Sequence, residues 1–484
     1  MMQEMNLAAI SIELGIAVLM AAVLLIDLCM ARGTSRRALA RVTALGLLGV
    51  LALAVWMYPP DGGATAFFAG LYIVDGYAVF FKILFIVGVL ATVLFAEDYV
   101  EKMIRHRGEF YLLLLSALLG MCALASANDL MTAFVGLELM TISFYTLVAI
   151  RTDAPLSAEA GIKYLVFGSG STAVLLYGMS LVYGMTGTMM FQGIAQGLGL
   201  VLSLGLIGVV FILAGFFFKL SIIPFHLWAP DVYEGAPAPV TALLAMCSKA
   251  AGVAILLRVL FVAFPALSAY WTHLMAALAC VSMVGGNIMA FRQTNIKRML
   301  AYSSIAQAGY MMTAMVATNA AGIKAVLFYA MVYVLANVGA FVTVSYLETE
   351  RGGADFRSVR GLAHDSLLPA GILMVALLTM AGIPPTAGFV GKIYIFSAAI
   401  DAGYLWLAGL GFVVSMMSVY YYLLVIKEMF RDVEADEPMI DTPLHLPLSA
   451  GAMGVIAVAF TLVIGVWAEP LSIFSNIAVY TFMR

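Results

Sequence analysis

Four ionisable residues, Glu138, Lys219, Lys249 and Lys392, each lie inside a long apolar run of the sequence. An isolated charge at bilayer depth costs about 2.5–3.5 kcal/mol on insertion scales. Because burial disfavours the charged form, a buried lysine can release its proton at working pH, and a nearby charge can tip that balance. Coupled sites of this kind titrate as a group. The pattern predicts a proton path made mostly of lysines, with sodium ions as an open alternative.

Two further residues, Lys163 and His226, have two readings each. Lys163 lies only a little inside its apolar run, so it is either a relay member or a side chain that snorkels to the membrane surface. His226 follows Pro224 closely, and imidazole suits a proton shuttle, although a histidine beside a tryptophan is often structural. Structural alternatives also stay open for Glu138, as a capped or protonated carboxylate, and for Lys219, as a lysine that satisfies loose carbonyls.

Composition decides what surrounds these residues. Hydrophobic residues make up 64% of the 484 and charged residues 11%, against about 25% charged in a soluble globular domain. No soluble fold could bury that much apolar surface, whereas a bilayer accepts it as runs of roughly 20 residues. Lipids are therefore expected around the chain, and nucleic acid is not an expected partner.

Hydropathy predicts an all-α, polytopic membrane protein with about fourteen spanning segments. The approximate spans are 7–28, 42–58, 77–95, 110–127, 130–150, 161–184, 202–222, 240–263, 272–291, 298–317, 321–346, 367–400 (interrupted), 405–426 and 446–468. The first run is too long for a signal h-region and lacks a basic n-region, so no cleavable signal peptide is expected.

Lysine and arginine in the loops predict the orientation. The basic loop residues all follow odd-numbered segments: Arg32, Arg36, Arg37, Arg41, Lys102, Arg105, Arg107, Arg151, Arg292, Lys297, Arg298, Arg351, Arg357, Arg360, Lys427 and Arg431. The loops after even-numbered segments, such as 185–201 and 264–271, contain neither residue type. Both termini are therefore expected outside, which is the periplasm if the cell is bacterial.

The remaining charged residues receive structural interpretations. Lys82, Arg258 and Lys324 lie near outer segment ends and are expected to snorkel. Asp231 and Glu234 are interpreted as inner-loop surface residues or helix caps. A solvated inner loop is the interpretation of a short acidic stretch, comprising Asp432, Glu434, Asp436 and Glu437.

Two segments contain proline breaks, the seventh at Pro224 and the twelfth at Pro384 and Pro385. Inside a membrane such a break survives only where protein or water satisfies the freed carbonyls. The breaks are five segments apart, so two inverted five-helix repeats are predicted, an arrangement typical of ion paths. The single transmembrane domain then divides into N-terminal helices, a first repeat, a second repeat and a last helix, at 1–108, 109–264, 271–430 and 445–484.

Cofactor motifs are absent from the sequence. There is no phosphate-binding loop, no cysteine cluster for iron–sulfur centres and no histidine pairing that indicates haem. Four cysteines lie in separate apolar stretches and are interpreted as small core residues: Cys29, Cys122, Cys247 and Cys280. The chain is expected to bind no metal or cofactor and to carry no electrons.

Three motif stretches, 219–242, 295–310 and 382–392, resemble the antiporter-like subunits of respiratory complex I, and the resemblance covers nearly the whole chain. The form Asp231-Val-Tyr-Glu-Gly-Ala-Pro237 is most like that of the N-type members. An L-type member would carry a long C-terminal extension, which is not expected here. Lysine rather than glutamate at Lys392 disfavours the M type.

The resemblance implies a role for each candidate residue. It implies that Glu138 pairs with Lys219, that Lys163 modulates this pair, and that Lys249 is the central lysine. Lys392 would lead toward the outer half-channel. These roles describe a proton relay through the middle of the membrane.

The resemblance also implies a whole machine, an NADH–quinone oxidoreductase of the inner membrane in which this chain couples quinone reduction to proton pumping. Flavin, iron–sulfur clusters and quinone would be bound by other subunits, and M-type and K-type subunits would be neighbours. A subunit of a multi-subunit cation/proton antiporter is the alternative. A scaffold without conduction fits five buried ionisable residues poorly.

Overall fold

The computed structural model describes residues 6–31, 33–59, 63–198, 202–432 and 444–482. Arg32, Glu434, Asp436 and Glu437 lie outside these ranges. The described helices are α1 Ser11–Cys29, α2 Arg37–Trp56, α3 Gly76–Met103, α4 Arg107–Ala125, α5 Leu130–Val148, α6 Pro155–Thr186, α7 Phe191–Leu198, α8 Leu202–Leu220, α9 Trp228–Gly235, α10 Ala238–Leu243, α11 Lys249–Arg258, α12 Ser268–Ala290, α13 Ile296–Met315, α14 Ala320–Glu350, α15 Phe356–Val359, α16 Leu362–Asp365, α17 Leu367–Ala381, α18 Ala387–Asp401, α19 Leu405–Met429, α20 Leu448–Val466 and α21 Glu469–Val479.

Short 3₁₀ or π turns extend several of these helices. The π turns Leu244–Ser248 and Val259–Ala263 make one continuous helical stretch with α10 and α11. The 3₁₀ turns are Leu7–Ile10, Pro265–Leu267 and Tyr480–Phe482.

Eleven helical stretches of the described chain are long and apolar enough to cross a membrane. The other three predicted segments correspond to α13 and to two segments that are each split into a pair of helices. The mostly helical, multi-pass membrane fold is confirmed, whereas the count of fourteen crossings stays a prediction.

Both proline breaks occur where the sequence predicts them. The helix α8 ends at Leu220, and Ser221 has a positive φ of 58° before the chain resumes as α9 at Trp228. The helix α17 ends at Ala381, and Gly382, at φ 81°, redirects the chain toward α18. Neither segment continues as a helix through its proline.

The two halves share a close crossing of consecutive helices. In α4 and α5 it lies at Gly120 and Gly136, and in α12 and α13 at Gly286 and Gly309. A Cβ added at any of the four would lie within 3.0 Å of the partner helix's backbone. Because α4 and α5 open the first predicted repeat and α12 and α13 the second, this likeness supports the two-repeat prediction.

Burial separates the middle of the bundle from its rim. The stretch 238–260 is wholly buried, and α3 and α14 are buried over most of their length. By contrast α6 exposes apolar residues such as Leu156, Ile162 and Val166, as a lipid-facing helix does. The core interpretation of the cysteines is right for Cys122 and Cys247, but Cys29 is exposed and Cys280 half-buried.

Several small elements were not predicted. An antiparallel hairpin joins Thr65–Phe67 to Tyr72–Val74, and its turn uses three consecutive residues with positive φ, ending at Gly70. The helices α7 and α21 also lie in stretches that hydropathy leaves as loops. These three are short and amphipathic or mixed in composition, so a search for 20-residue apolar runs passes over them.

The snorkelling prediction is wrong for Lys82 and Arg258. The Lys82 Nζ lies 2.7 Å from Glu13 Oε1, and the Lys82 side chain is almost wholly buried. Arg258 donates two hydrogen bonds to Asp75, at 2.8 and 3.1 Å, with both side chains buried. Carboxylates from the N-terminal part of the chain, Glu13 on α1 and Asp75 just before α3, meet these cations inside the protein, so neither needs to reach the surface.

Lys324, the third residue expected to snorkel, is half-buried. Its Nζ lies 5.7 Å from the centroid of the Tyr394 ring. This geometry suits a cation–π contact.

Candidate functional site

Lys219 is the next-to-last residue of α8 and is 2% exposed. Its Nζ donates to Thr141 Oγ1 at 2.9 Å and to Tyr164 OH at 3.1 Å. The ring centroids of Phe144 and Tyr164 each lie 5.7 Å away. The ammonium is therefore held by two hydroxyls and two aromatic faces, which can stabilise a charge without neutralising it.

Two of the carbonyls freed at the α8 break have partners other than Lys219. Trp228 Nε1 donates to the Phe218 carbonyl at 3.0 Å, and the Ile222 amide donates to the Phe217 carbonyl at 3.0 Å. In the described chain Lys219 Nζ donates to two hydroxyls and to neither of these carbonyls. Its position at the break leaves the ammonium directed at side chains of α5 and α6.

Glu138 is half-buried on α5, and its Oε1 accepts a hydrogen bond from Thr172 Oγ1 at 2.8 Å. Glu138 and Lys219 line the same small gap, together with Thr141, but these two described residues form no ion pair. The gap has a volume of about 10 Å³, close to the space that one water molecule needs. The pair that the resemblance implies is therefore not a direct contact in this structure, and Thr141 and the gap lie beside both residues.

Lys163 lies apart from this group. Its Nζ is 2.7 Å from Glu159 Oε1 and 2.7 Å from Asp231 Oδ2, and its side chain is 37% exposed. The structure thus brings Lys163 to the protein's edge rather than to the gap between Glu138 and Lys219.

Asp231 and Glu234 were predicted to be surface residues or helix caps. In the structure both instead form ion pairs with a neighbouring helix. Arg298 Nη1 lies 2.7 Å from Asp231 Oδ1 and 2.8 Å from Glu234 Oε2. Burial alone would raise the pKa of Asp231, but hydrogen bonds from Lys163 and Arg298 outweigh it and hold that pKa below its usual value. The cluster surrounds a cavity of about 130 Å³.

Lys249 begins α11, directly after a π turn, and is 2% exposed. Its Nζ donates to the Ser304 carbonyl at 2.5 Å and to Ser304 Oγ at 2.6 Å. A Cβ at Gly252 would lie 3.6 Å from Lys219 Cγ, so α11 runs close beside the α8 lysine, as its small residues predict.

Lys392 lies on α18, after the second break, and is 4% exposed. Its Nζ donates to the Ala381 carbonyl at 2.8 Å and to Ser415 Oγ at 2.7 Å, and the Tyr310 ring centroid is 4.9 Å away. Here the lysine does satisfy a carbonyl at a helix break. It also touches a hydroxyl and a ring from two other helices.

A row of hydrogen-bonded polar side chains begins next to Ser304, which holds Lys249, and extends toward Lys392. Ser303 is hydrogen-bonded to Tyr422, whose hydroxyl also accepts from Gln307 Nε2 at 3.4 Å. Gln307 in turn donates to the Met380 carbonyl at 3.0 Å, one residue before the Ala381 carbonyl that holds Lys392. Hydroxyls and amides therefore lead from one lysine toward the other.

Sequence analysis missed this polar row. Its members on α13 recur at helical spacing: Ser303, Ser304, Gln307 and Tyr310. That spacing indicates a buried polar stripe, but uncharged residues do not stand out in an apolar run as charged residues do.

His226 lies in the turn between α8 and α9 and is 8% exposed. Its buried Nδ1 has no hydrogen-bond partner in the described chain. Its shuttle role stays a prediction. Across the described residues, no group of three or more His, Cys, Asp or Glu side chains is arranged to hold a metal ion.

Buried lysines beside two helix breaks, with polar side chains around them, are typical of ion-transporting membrane proteins. The family described as NADH:quinone oxidoreductase/Mrp antiporter, TM matches residues 127–418. NADH-quinone oxidoreductase subunit N of Desulfitobacterium hafniense is 46% identical over 97% of this chain and 98% of its own. The subunit N of Heliobacterium modesticaldum is also 46% identical, over 98% and 99%. The chain belongs to the subunit N family of NADH-quinone oxidoreductases.

Solved structures have the same fold. A chain of respiratory complex I from Thermus thermophilus with bound aureothin is 35% identical, with a TM-score of 0.81 over 95% of this chain and 98% of its own. A chain of the Mrp complex from Dietzia sp. DQ12-45-1b reaches a TM-score of 0.88 over 99% and 98%, at 22% identity. The second likeness concerns the fold alone.

Proposed function

We propose that this chain is a proton-translocating membrane subunit of an NADH–quinone oxidoreductase. One observation carries the proposal: Lys219, Lys249 and Lys392 are buried, and in the described part of the chain none of them forms an ion pair with a carboxylate. A lysine held by neutral oxygens gives up its proton more readily than one fixed to a counter-charge. These three residues are therefore suited to carry protons, whereas Lys82 and Arg258 are suited to hold helices together.

The relay runs from Lys219 through Lys249 to Lys392. At one end Lys219 takes or releases a proton beside Glu138, whose carboxylate favours the charged lysine when ionised. In the middle Lys249 exchanges with Lys392 along the hydroxyls and amides of α13 and α19. Moving one charge through 100 mV costs about 2.3 kcal/mol, so the relay needs at least two protonation arrangements, each stable while one side is closed.

The driving reaction belongs to the rest of the complex. Subunit N relatives are named as parts of NADH-quinone oxidoreductase, so we assign electron transfer through flavin, iron–sulfur clusters and quinone to other subunits. The expected membrane neighbours are M-type and K-type subunits. Quinone reduction in those subunits would shift charge along the membrane-embedded part of the complex. That shift would change the protonation of the lysines in this chain.

The composition of the purified complex tests the proposal. When the complex is purified through an affinity tag on this chain, peripheral subunits that contain flavin and iron–sulfur clusters should co-purify. The same complex, reconstituted in vesicles, should take up protons when NADH and quinone are supplied. Recovery with membrane antiporter subunits alone, together with sodium-driven proton exchange in the absence of any electron donor, would contradict it and favour the cation/proton antiporter.

A further inference from the structure

A bridge of charged side chains ties the two halves of the bundle together on the side of the basic loops. Asp231, on α9, contacts Lys163 of α6 through Oδ2 and Arg298 of α13 through Oδ1, both at 2.7 Å. Its carboxylate therefore has one oxygen on each half. An exposed ion pair contributes little, but a partly buried network that fixes two helices constrains their geometry.

The helix that carries Asp231 also leads to Lys219. Three residues before Asp231, the Trp228 ring stacks on Tyr164, with centroids 4.5 Å apart and planes 13° apart. Tyr164 follows Lys163 in α6, and its hydroxyl accepts the hydrogen bond from Lys219 Nζ. The helix α9 thus contacts α6 at two neighbouring residues, Lys163 and Tyr164. Of these two, Tyr164 also accepts the hydrogen bond from Lys219.

The other carboxylate oxygen of Asp231 is linked, through Arg298, to the surroundings of Lys249. Arg298 lies on α13, six residues before Ser304, and Ser304 is the residue that holds Lys249 Nζ. A shift of α13 relative to α9 therefore involves both the Lys249 ligand and the Asp231 bridge.

We infer that Asp231 is a positioning residue that holds Tyr164 against Lys219 and keeps this contact in register with the α13 ligand of Lys249. The inference deepens the proposed function, because it matters only if Lys219 carries protons. Glu234 also binds Arg298, but it does not contact Lys163, so it lacks the bridging role.

The surroundings of both residues bear on the test. Lys219 is faced by Glu138 and Tyr145 from α5 and by Tyr164 from α6, and its stem is covered by Gly252 of α11. The charged groups around Asp231 are Glu159 and Lys163 from α6, Arg298 from α13 and Glu234 from its own helix.

The experiment measures proton uptake against pH by the whole complex in vesicles, normalised to assembled complex. Asp231→Asn should lose much of the uptake, and the alkaline limb of the profile should move to lower pH, because the ammonium form of Lys219 loses a well-placed acceptor. Tyr164→Phe keeps the ring and removes that acceptor directly, so it should move the limb the same way. The double variant should go no further than the larger single change, since coupled residues do not add.

Glu234→Gln is the matched control and should leave the profile in place. An unchanged profile for Asp231→Asn, additive shifts in the double variant, or an equal shift for Glu234→Gln would each overturn the inference. If Asp231→Asn does not assemble, Arg298→Gln breaks the other end of the bridge and should shift the limb in the same direction, and no shift there would also overturn it. Lys219→Ala is run alongside: if that variant pumps normally, the proposed function itself fails, whereas loss of pumping there with an unshifted Asp231→Asn profile rejects only the bridge.

Discussion

At the scale of single residues, the acceptor decides what a buried cation can do. Arg258 shares two hydrogen bonds with a carboxylate, which fixes both its charge and its position. Lys219, Lys249 and Lys392 meet hydroxyls and carbonyls instead. Lysine at these positions combines a titratable charge with neutral ligands, which is the chemistry that a proton relay needs.

Lys392 allows relay and structural roles to be separated. Lys392→Gln keeps a donor for the Ala381 carbonyl and for Ser415 but removes the titratable charge. We expect the complex to assemble and to lose most of its NADH-driven proton uptake in vesicles. Lys427→Gln changes an exposed lysine on α19 and should leave the uptake intact. Full pumping by Lys392→Gln would reduce Lys392 to a cap for the broken helix.

The sequence predicts which residues are unusual better than it predicts their partners. The apolar runs identify Glu138, Lys219, Lys249 and Lys392 without any structure, since a charge there stands out. Partners depend on how helices rotate and cross, which one sequence does not contain. For that reason the expected pair of Glu138 with Lys219 and the expected snorkelling of Arg258 both differ from what the fold provides.

At the scale of elements, close helix crossings set the positions of the relay helices. A Cβ at Gly120 would lie 2.5 Å from the Met140 backbone nitrogen, so α4 and α5 approach each other as only glycine permits. The helix α5 carries Glu138 and Thr141, and its rotation relative to α8 determines whether these two side chains face Lys219. Packing in the first repeat thus bears directly on the site.

Gly120→Ala tests this crossing. The added methyl group must push α5 away or strain the backbone, at a cost of about 1–3 kcal/mol. We expect a lower thermal unfolding midpoint for the solubilised complex and reduced proton uptake. Gly49→Ala, on α2, adds a methyl group with nothing within 4 Å and should change neither. An equally stable Gly120→Ala complex would show that the crossing can relax.

Element prediction succeeds where one residue type dictates the backbone. Proline and glycine at 224 and 382–385 require breaks, and both breaks occur. The hairpin at Thr65–Phe67 and the helices α7 and α21 depend on contacts with neighbouring elements, as in the bridge of Tyr72 with Ala127. Local composition does not encode such contacts, so these elements were missed.

At the scale of the whole molecule, the distribution of basic residues indicates how the chain is oriented in the membrane. Basic residues follow odd-numbered segments, so we propose that the Arg32–Arg41 stretch, which includes the start of α2, and the Arg351–Arg360 stretch face the cytoplasm and that both termini face outward. Cysteine substitutions at Ser35 and Ala64, in a background from which the exposed Cys29 has been removed, should react with an impermeant thiol reagent from opposite sides. Reaction of both from one side would reject this orientation.

If Lys219 carries protons, replacing it with arginine should stop proton uptake by the complex. Arginine keeps the positive charge and can still donate to Thr141 and Tyr164, but it does not release a proton at physiological pH. In vesicles that contain the complete complex, NADH-driven proton uptake per assembled complex should fall sharply for Lys219→Arg and for Lys219→Ala. The exchange Lys102→Arg, at an exposed ion pair with Glu350, should have no effect. Uptake by Lys219→Arg at the unmodified rate would show that Lys219 is not a proton carrier.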